Sequence, residues 1–305
     1  MHGCDIVIVN YNAGNLLADC VRSVLAEGAC HVFVVDNDSH DDSLAHLSAS
    51  ISDVRVTLIR NGQNLGFAAA CNIGARASDA STLLFLNPDS VLAEGSLRCM
   101  MDVLESNPYI GMVGGLLCNP DGSEQPGGRR AFPTPRRAFM RAFGLSYLGK
   151  WFPSLFSDFL LHKQPLPHAP TPVEAISGAC MLVKREALKD VGLWDEGYFL
   201  HCEDLDWCMR FRLNNWRVVF VPDAKVIHVW GACSRSRPFF VEWHKHHGML
   251  RFYNKFFRKQ YPGPLWWLVV LGVWLRFGFV STYFAARLLF LKIKGAGALK
   301  GGVRV

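Results

Sequence analysis

Two adjacent acidic residues in the C-terminal half of the sequence are the first candidates for proton chemistry. Glu203 and Asp204 begin a stretch in which apolar residues recur at helical spacing. Acidic residues in the first turn of a helix often do no more than interact favourably with the helix dipole. Beside apolar and aromatic neighbours, such a carboxylate is also suited to act as a general base with a raised pKa. The spacing alone leaves these two interpretations equally weighted.

A second candidate site is the tripeptide Asn87-Pro88-Asp89, which directly follows an apolar run. A carboxylate at the exposed end of a parallel strand is well placed to hold Mg²⁺ or Mn²⁺ together with substrate phosphates. Taken alone, the tripeptide is more typical of an ordinary turn. Asp36 closes another apolar run, and two acidic strand ends on one edge of a sheet indicate a nucleotide site. In that site Asp36 would accept a hydrogen bond from a pyrimidine ring N–H.

The glycine-containing turn at residues 61–66 is a weaker candidate. Gly66 opens a helical pattern whose first backbone N–H groups would be able to face a phosphate. The segment matches neither the GxGxxG fingerprint nor the P-loop. That absence counts against a dinucleotide-dependent oxidoreductase and against an NTPase.

These candidates need a scaffold, and residues 1–118 predict one. Short apolar runs typical of buried strands alternate there with segments of helical spacing. This alternation is typical of a parallel α/β sheet covered by helices on both faces, in which ligands bind beyond the carboxyl ends of the strands. One rim of the sheet is therefore expected to carry the polar residues that close the strands, namely Asn10, Asp36, Asn61 and the stretch from Asn87 to Asp89.

Residues 119–172 are rich in Pro, Gly and Arg, and we expect a flexible loop or lid there. Its arginines would either close over a diphosphate or form a solvated basic surface, and the sequence leaves both readings open. They are Arg129, Arg130, Arg136 and Arg137. The predicted organisation is a first domain at residues 1–235, which contains this lid, and a basic, aromatic helix with an apolar tail at residues 236–305.

The apolar tail, residues 265–291, is long enough to cross a bilayer. Arg276 and Arg287 interrupt it, and an arginine at the centre of a bilayer costs about 2.5–3.5 kcal/mol on insertion scales. We therefore expect a helix that lies in the membrane interface, or a helical pair that dips into one leaflet. A simple span and a buried core helix are the less favoured alternatives.

Composition excludes several classes of protein. The 305 residues are 50% hydrophobic and 19% charged, which argues against disorder, and the net charge of +6 suits a membrane surface or a phosphate-bearing ligand. The ten cysteines lack zinc or redox spacing and are expected to be reduced and buried.

Three histidines near the C-terminus have no acidic partners at metal-binding spacing and are interpreted as part of a helix surface. They are His244, His246 and His247. The opening residues lack a signal-peptide pattern, which predicts a cytosolic catalytic part.

Taken together, the motifs resemble those of the GT-A glycosyltransferases of family 2, most closely its bacterial rhamnosyltransferase-like members. They follow the family's order from about residue 5 to residue 234. The matching segments are Asn10-Tyr11-Asn12, Asp36-Asn37-Asp38-Ser39, residues 64–72, Asn87-Pro88-Asp89, Ser177-Gly178 and Glu203-Asp204-Leu205-Asp206. The resemblance implies the GT-A fold, an α/β fold with a mostly parallel central sheet flanked by helices, followed in this chain by a C-terminal membrane-associated helical tail.

The resemblance also implies catalytic and metal-binding roles. Asp204 matches the catalytic base, with Glu203 beside it. Asp89 matches the metal-binding acid of a DXD-like motif, and His228 matches a position that assists the binding of Mg²⁺ or Mn²⁺, or of the diphosphate. Asn87 stands where the fuller motif has an acid, so metal dependence is expected to be weaker. Taken alone, His228 is more typical of a histidine packed at a strand end.

The other residues assigned through the resemblance fall into two groups. Those expected to contact the nucleotide or the donor sugar are Asn10, Tyr11, Asn12, Asp36, Asn37, Asn64, Gly66, Asn72 and Asn87. Those expected on the acceptor side are Trp194, Asp195 and Gly178.

The implied function is an inverting, metal-assisted glycosyltransferase with a nucleotide-diphospho-sugar donor. A dTDP-linked donor of rhamnose or a related sugar is modestly favoured over a UDP-hexose. The apolar tail indicates a lipid-linked saccharide acceptor in cell-surface polysaccharide assembly, with peripheral or monotopic attachment at the cytoplasmic face of the membrane. The alternatives are a UDP-hexose transferase and an inactive nucleotide-sugar-binding scaffold. Nucleic-acid binding is disfavoured because the basic residues adjoin the most apolar segment.

Overall fold

The structure is a computed structural model that describes residues 3–142, 159–229, 237–261 and 263–300. The chain divides into two units, Met1–Cys233 and Ser234–Val305. The domain boundary expected after residue 235 falls within residues 230–236, which lie outside the described residues, as do residues 143–158 of the expected lid.

The first unit alternates strands and helices along most of its length. Its strands are β1 Cys4–Asn10, β2 His31–Asp36, β3 Val56–Arg60, β4 Thr82–Leu86, β5 Ser90–Leu92, β6 Ile110–Cys118, β7 Arg129–Arg130, β8 Thr171–Pro172, β9 Ala175–Ile176, β10 Cys180–Lys184 and β11 Arg217–His228. Its helices are α1 Leu16–Ala26, α2 Ser43–Ser50, α3 Phe67–Ala77, α4 Ser96–Glu105, α5 Pro135–Ala142, α6 Arg185–Val191 and α7 Glu203–Leu213.

Within the described residues, the main sheet has the strand order β3-β2-β1-β4-β10-β6-β11-β5, with β8 paired to β11. The strands β3, β2, β1 and β4 are parallel, as their sequence pattern predicts. Asn10 stands opposite Asp36 in this register, and Ile8 stands opposite Leu86. The carboxyl ends of these strands therefore share one edge, which confirms the single polar rim.

The other half of the sheet is mixed. Strand β10 lies between β4 and β6 and runs antiparallel to both, while β11 runs parallel to β6 and antiparallel to β5. The apolar runs at residues 216–221 and 225–229 predict two strands in this region, and the structure has the single strand β11. Its pairing with β6 shifts between Val221 and Lys225. Pro222 lies in this irregularity because it has no N–H to donate to the sheet, and that same proline imitates a turn in the sequence.

The helices pack tightly against the sheet. Strands β1 and β4 are buried along their whole length, which explains their continuous apolar sequence. Gly74 in α3 allows that helix to approach β1 closely, since a Cβ atom at position 74 would lie 2.4 Å from the Val7 Cγ1 atom. This close contact holds α3 against the half of the sheet whose strands end at the polar rim.

The region expected to be a flexible lid contains ordered elements in its described part. Strand β7 pairs with β9, and Arg129 is 3% exposed, with its Nε atom 2.8 Å from the Glu124 Oε1 atom. Arg137 pairs in the same way with Glu174, at 2.7 Å. A solvated basic surface is therefore wrong for these two arginines, because each is neutralised by a carboxylate that the sequence pattern did not connect to it.

The described part of the second unit contains two long helices, α8 Pro238–Phe256 and α9 Pro264–Lys300, with a short 3-10 helix at Arg258–Gln260 between them. They contact each other through aromatic rings, with the Trp243 and Trp274 ring centroids 5.3 Å apart. His246 is 2% exposed, with its Nε2 atom 2.7 Å from the Arg276 Nη1 atom. The interpretation of His246 as a helix-surface residue is therefore wrong, since α9 covers it. Within α9, the segment Pro264–Phe290 is long and apolar enough to cross a membrane. None of the residues in its most apolar stretch is buried.

Candidate functional site

A buried polar cluster lies where β1 and β2 end. Asn10 is 0% exposed, and its Nδ2 atom lies 2.8 Å from the Asp36 Oδ1 atom. Ser39 and Ser43 bring hydroxyl oxygens within 2.9 Å of the same nitrogen. The other oxygen of Asp36 accepts a hydrogen bond from the Ser39 backbone N–H at 3.2 Å. The cluster therefore fixes the Asp36 carboxylate at the rim, where the sequence predicts a nucleoside contact.

Tyr11 and Asn12 continue the chain beyond β1, and both are half-buried. Asn12 has a left-handed backbone with φ of 55°, and its Oδ1 atom accepts a hydrogen bond from the His40 N–H at 2.8 Å. The loop after β1 is thereby tied to the loop after β2. The two loops flank Asp36 together.

The turn before α3 is joined to the same rim. Asn37 donates from its amide to the Gly66 carbonyl at 3.1 Å, and Asn64 accepts a hydrogen bond from the Gly66 N–H at 3.0 Å. Gly66 has φ of +88°, and a Cβ atom there would lie 2.7 Å from the Phe199 carbonyl oxygen. That carbonyl also accepts the Phe67 N–H at 2.9 Å. The Phe67 N–H, the first of α3, thus has a partner within the protein.

Asp89 and His228 form a second cluster. Asp89 is 5% exposed and His228 is 6% exposed. The His228 Nε2 atom lies 3.2 Å from the Asp89 Oδ1 atom, and that oxygen has no hydrogen-bond partner among the described residues. Adjacent ligand atoms of an octahedral Mg²⁺ site are about 3 Å apart, since each lies about 2.1 Å from the ion. A buried carboxylate oxygen without a partner and a nitrogen at this separation fit a divalent cation.

Gln125 completes this cluster, and the sequence pattern did not single it out. Its Oε1 atom lies 2.8 Å from the His228 Nδ1 atom, and its amide donates to the His228 carbonyl at 2.6 Å. Gln125 is 4% exposed. It lies in the Pro- and Gly-rich stretch after β6, where no periodicity distinguishes a buried residue from a loop residue.

Asp204 is held at the start of α7 by three donors. Its Oδ2 atom accepts the Gly178 N–H at 3.0 Å and also the Arg130 guanidinium, and its Oδ1 atom accepts the Leu205 N–H at 2.7 Å. The two residues before the helix, His201 and Cys202, both have left-handed backbone, with φ of 67° and 70°. Such backbone at non-glycine residues is costly and is found at sites where the surroundings impose it.

Arg130 is the main partner of Asp204. Burial opposes the charged form of Arg130, but the neighbouring Asp204 carboxylate more than offsets this and raises the pKa of Arg130 above its usual value. From the sequence, Arg130 is either a diphosphate contact or part of a solvated basic surface. Its pairing with Asp204 links positions 74 residues apart, which no local pattern reveals.

Glu203 differs from its neighbour. Burial, and next the Asp204 charge, raise the pKa of Glu203 from about 4.5 to about 8. Its Oε2 atom is buried without a hydrogen-bond partner among the described residues. Both causes favour the protonated form of Glu203, which is unable to accept a proton. Of the two adjacent acids, Asp204 is the one that pairs with a cationic side chain, Arg130.

Asn72 and Trp194 pack against each other. The Asn72 amide nitrogen donates to the Trp194 carbonyl at 3.0 Å and to Glu196 at 2.8 Å, and its oxygen accepts the Trp194 N–H at 3.0 Å. Trp194 is 3% exposed and packs on Trp207, with ring centroids 4.0 Å apart. Asn72 thus holds the chain around Trp194 against α3. The sequence analysis expected Asn72 to contact the nucleotide or donor sugar and did not predict this structural role. Asp195 caps its own turn by accepting the Gly197 N–H at 2.9 Å.

Backbone contacts join the Asp89 cluster to the Asp204 cluster. Asn87 is half-buried, and its N–H donates to the Ala179 carbonyl at 3.0 Å. Ala179 follows Gly178, which donates to Asp204, and Asp89 follows Asn87 by two residues. The structure therefore places the Asp89–His228 pair and the Asp204 carboxylate, with its Arg130 partner, on adjacent segments at one edge of the sheet. This combination suits the displacement of a diphosphate by a hydroxyl.

Several known proteins are similar to this chain in sequence or in fold. A sequence model of glycosyl transferase family 2 matches residues 5–192. An N-acetylglucosaminyl-diphospho-decaprenol L-rhamnosyltransferase of Mycobacterium tuberculosis is 32% identical over 236 residues, which cover 73% of this chain and 75% of that protein. The dTDP-rhamnosyl transferase RfbF of Shigella flexneri is 28% identical over 74% of this chain and 68% of that protein.

A solved structure supports the fold independently. The mannosyltransferase PcManGT from Pyrobaculum calidifontis, in complex with GDP-Man and Mn²⁺, superposes with a TM-score of 0.56 at 15% identity. The match covers 98% of this chain and 79% of that one. The prediction of a GT-A fold is thereby confirmed.

Proposed function

The chain belongs to glycosyl transferase family 2, and we propose that it transfers rhamnose from a dTDP-linked donor to a lipid-linked saccharide. The observation that carries this proposal is the 32% identity to a rhamnosyltransferase whose name specifies a decaprenol-diphosphate-linked acceptor. The name of the Shigella flexneri relative specifies dTDP-rhamnose chemistry. Both relatives match about three quarters of this chain.

We assign Asp204 as the general base. An acceptor hydroxyl is a poor nucleophile at neutral pH, and a carboxylate that removes its proton as it attacks makes the attack faster. The Asp204 side chain is 12% exposed, so a substrate is able to reach it although most of it is buried. Attack by this hydroxyl on the face opposite the departing diphosphate inverts the anomeric carbon in one displacement. Arg130 and the Gly178 N–H fix the direction of the carboxylate.

The Asp89 and His228 side chains are the groups that would hold Mg²⁺ or Mn²⁺. Such a cation, when bound, supplies positive charge that neutralises the leaving diphosphate. Asn87 is uncharged and adds no second carboxylate to the pair, so we expect moderate metal affinity. The cluster of Asn10, Asp36 and the two serines orients the Asp36 carboxylate toward the base of the donor nucleotide.

We further propose that the second unit binds the cytoplasmic face of a membrane. The apolar residues of α9 include Leu268, Leu271 and Phe279, which are 62%, 53% and 77% exposed. Such a surface is costly in water and stable in a lipid environment. Lys255 and Arg258 precede α9 and are suited to attract an anionic lipid surface. A transferase held there meets a lipid-linked acceptor in the plane of the membrane.

The Arg130–Asp204 ion pair is the observation that favours a second candidate, a nucleotide-sugar-binding scaffold without turnover. In that case the carboxylate would serve only to neutralise Arg130. The two functions make different predictions for turnover, so one substitution separates them.

The experiment is the replacement Asp204→Asn in the full chain, purified in detergent. The substitution keeps the shape of the side chain and removes its ability to accept a proton. We expect rhamnose transfer to fall by at least about 100-fold, because a general base contributes about 10²–10⁴ in rate. The thermal shift produced by dTDP should stay as in the wild type. Transfer at the wild-type rate would refute the base assignment, and a wild-type protein without turnover would favour the scaffold.

A further inference from the structure

Gln125 makes a two-point contact with His228. Its amide nitrogen donates to the His228 backbone carbonyl at 2.6 Å, and its Oε1 atom lies 2.8 Å from the His228 Nδ1 atom. Both residues are buried, so water does not compete for these bonds. The loop that carries Gln125 is itself fixed, because the Gln125 N–H donates to the Leu117 carbonyl at 2.8 Å.

Only one arrangement of protons satisfies both contacts. A backbone carbonyl is purely an acceptor, so the amide NH₂ of Gln125 must face the His228 carbonyl. The amide oxygen of Gln125 then faces the ring, and Nδ1 must carry a proton to donate to it. In a neutral imidazole, Nε2 is consequently the nitrogen with the free lone pair. The glutamine therefore sets the tautomer of His228.

The other side of the ring faces a carboxylate. The His228 Nε2 atom lies 3.2 Å from the Asp89 Oδ1 atom, and this oxygen has no hydrogen-bond partner among the described residues. When the ring is neutral and carries its proton on Nδ1, both of these atoms are acceptors, and at this separation they repel each other unless a cation lies beside both. The Val229 N–H donates to the Asp89 carbonyl at 2.9 Å, which holds the two backbones together and keeps the acceptors in place.

We propose that Gln125 is a positioning residue that fixes His228 in the Nδ1–H tautomer and so presents its Nε2 lone pair, together with Asp89, to a divalent cation. This inference rests on the proposed function in one respect, which is the identity of the nucleotide-sugar donor that the cation would accompany. Gln125 acts through His228, because its own polar atoms are used in the contact. The same segment carries Arg130, five residues further on, so one stretch of chain positions both the metal pair and the base.

The first test reads the tautomer directly, without metal, donor or acceptor. The full chain is labelled with ¹⁵N-histidine and studied in detergent micelles, and the His228 signals are assigned by their loss in His228→Asn. The expected ring nitrogen shifts are those of a protonated Nδ1 and an unprotonated Nε2. In Gln125→Met, which has a similar length and no acceptor at this point, the Nε2–H tautomer should appear. Gln125→Glu retains an acceptor and should retain the Nδ1–H proton.

The second test measures the binding of Mn²⁺ alone by the loss of the free-ion paramagnetic resonance signal. Loss of an outer partner of a ligating histidine typically weakens metal affinity by about 10–100-fold. Gln125→Met should show such a loss, and Gln125→Glu should stay close to the wild type.

Three results would overturn the proposal: an Nε2–H or doubly protonated His228 in the wild type, no Mn²⁺ binding by the wild type, or equal Mn²⁺ affinity in Gln125→Met and the wild type. If Gln125→Met fails to fold, the wild-type tautomer and Gln125→Glu still decide. If the chain passes both tests but does not transfer rhamnose, the proposed function is refuted and the role of Gln125 is not.

Discussion

At the scale of single residues, the buried charges around Asp204 determine what the site is able to do. Asp204 pairs with the Arg130 guanidinium, while burial raises the pKa of Glu203 beside it and favours the protonated form of that residue. The two adjacent acids therefore have different roles, although the sequence presents them as a pair. A protonated carboxyl group donates a hydrogen bond, and an ionised one accepts a proton.

Replacing Arg130 tests the compensation of Asp204. Arg130→Met leaves a buried carboxylate without its partner, and breaking a buried pair in this way costs about 3–5 kcal/mol of unfolding free energy. The double variant Arg130→Met with Asp204→Asn should recover much of that loss, as measured by denaturant unfolding. The matched control is Arg76→Met, because Arg76 pairs with Glu196 at an exposed position and should cost at most about 1 kcal/mol. Equal losses in the two arginine variants would contradict the assignment.

The raised pKa of Glu203 predicts a pH dependence of stability. Between about pH 4.5 and pH 8 the folded chain keeps the Glu203 proton that the unfolded chain has released. The unfolding free energy therefore falls as pH rises through this window, and the contribution is fully present only below it. Glu203→Gln removes the titrating group, so the wild type should lose stability relative to this variant from pH 5 to pH 8. A difference that does not change with pH would contradict a buried, protonated Glu203.

The sequence singles out the acidic residues of the candidate site but not the contacts made by Arg130 and Gln125. Asp204, Asp89 and Asp36 stand out because each is a charged residue at or near the end of an apolar run. Arg130 and Gln125 do not stand out, because they lie in a Pro- and Gly-rich stretch without periodicity. Their roles depend on contacts across 74 and 103 residues, which the three-dimensional fold creates.

At the scale of elements, the close packing of α3 on β1 supports the polar rim. Gly74 allows the helix to approach the strand closely, and the Phe67 N–H at the start of the same helix donates to the Phe199 carbonyl. Movement of α3 would therefore disturb both the turn at Gly66 and the segment that leads into α7. The helix links the turn at Gly66 to the segment before α7.

Gly74→Ala tests this packing. The added Cβ atom would lie 2.4 Å from the Val7 Cγ1 atom, so the helix or the strand must shift. Overpacking of this kind typically costs about 1–3 kcal/mol of unfolding free energy, even though alanine is the better helix former. Ala77→Ser, at the exposed end of the same helix, is the control and should change stability by less than about 0.5 kcal/mol. A more stable Gly74→Ala variant would refute the close approach.

The elements were predicted to different degrees. Strands β1, β2 and β4 are evident in the sequence because their apolar runs are continuous and bounded by polar residues. Strand β11 appears as two strands because Pro222 and Asp223 resemble a turn. Strand β7 is only two residues long, too short for any period to be visible. Its pairing with β9 is a long-range contact that follows from the position of β10 in the sheet.

At the scale of the whole molecule, the high apolar content belongs to two different environments. In the first unit the apolar side chains are buried in the sheet and its helices. In the second unit the apolar face of α9 is exposed, which a soluble protein would not maintain over such a length. The proposed membrane attachment follows from this contrast.

Charged substitutions in α9 test the attachment. The double variant Leu271→Asp with Leu275→Asp places two carboxylates on residues that are 53% and 54% exposed. Each carboxylate costs about 2.5–3.5 kcal/mol near the centre of a lipid-inserted helix. Flotation with anionic vesicles should therefore recover much less of this variant than of the wild type. Val54→Asp, at a position that is 97% exposed in the first unit, should float like the wild type. Full flotation of the double variant would contradict insertion of α9.

The central claim is that this family 2 glycosyltransferase moves rhamnose onto a lipid-linked acceptor. The most direct measurement offers the purified full chain a panel of nucleotide sugars with a polyprenyl-diphosphate-linked saccharide, with and without Mn²⁺, and identifies the product by mass and anomeric configuration. The account predicts transfer from dTDP-rhamnose with inversion, faster with Mn²⁺ than without it. No turnover with any donor, together with no thermal shift from dTDP or UDP, would contradict it.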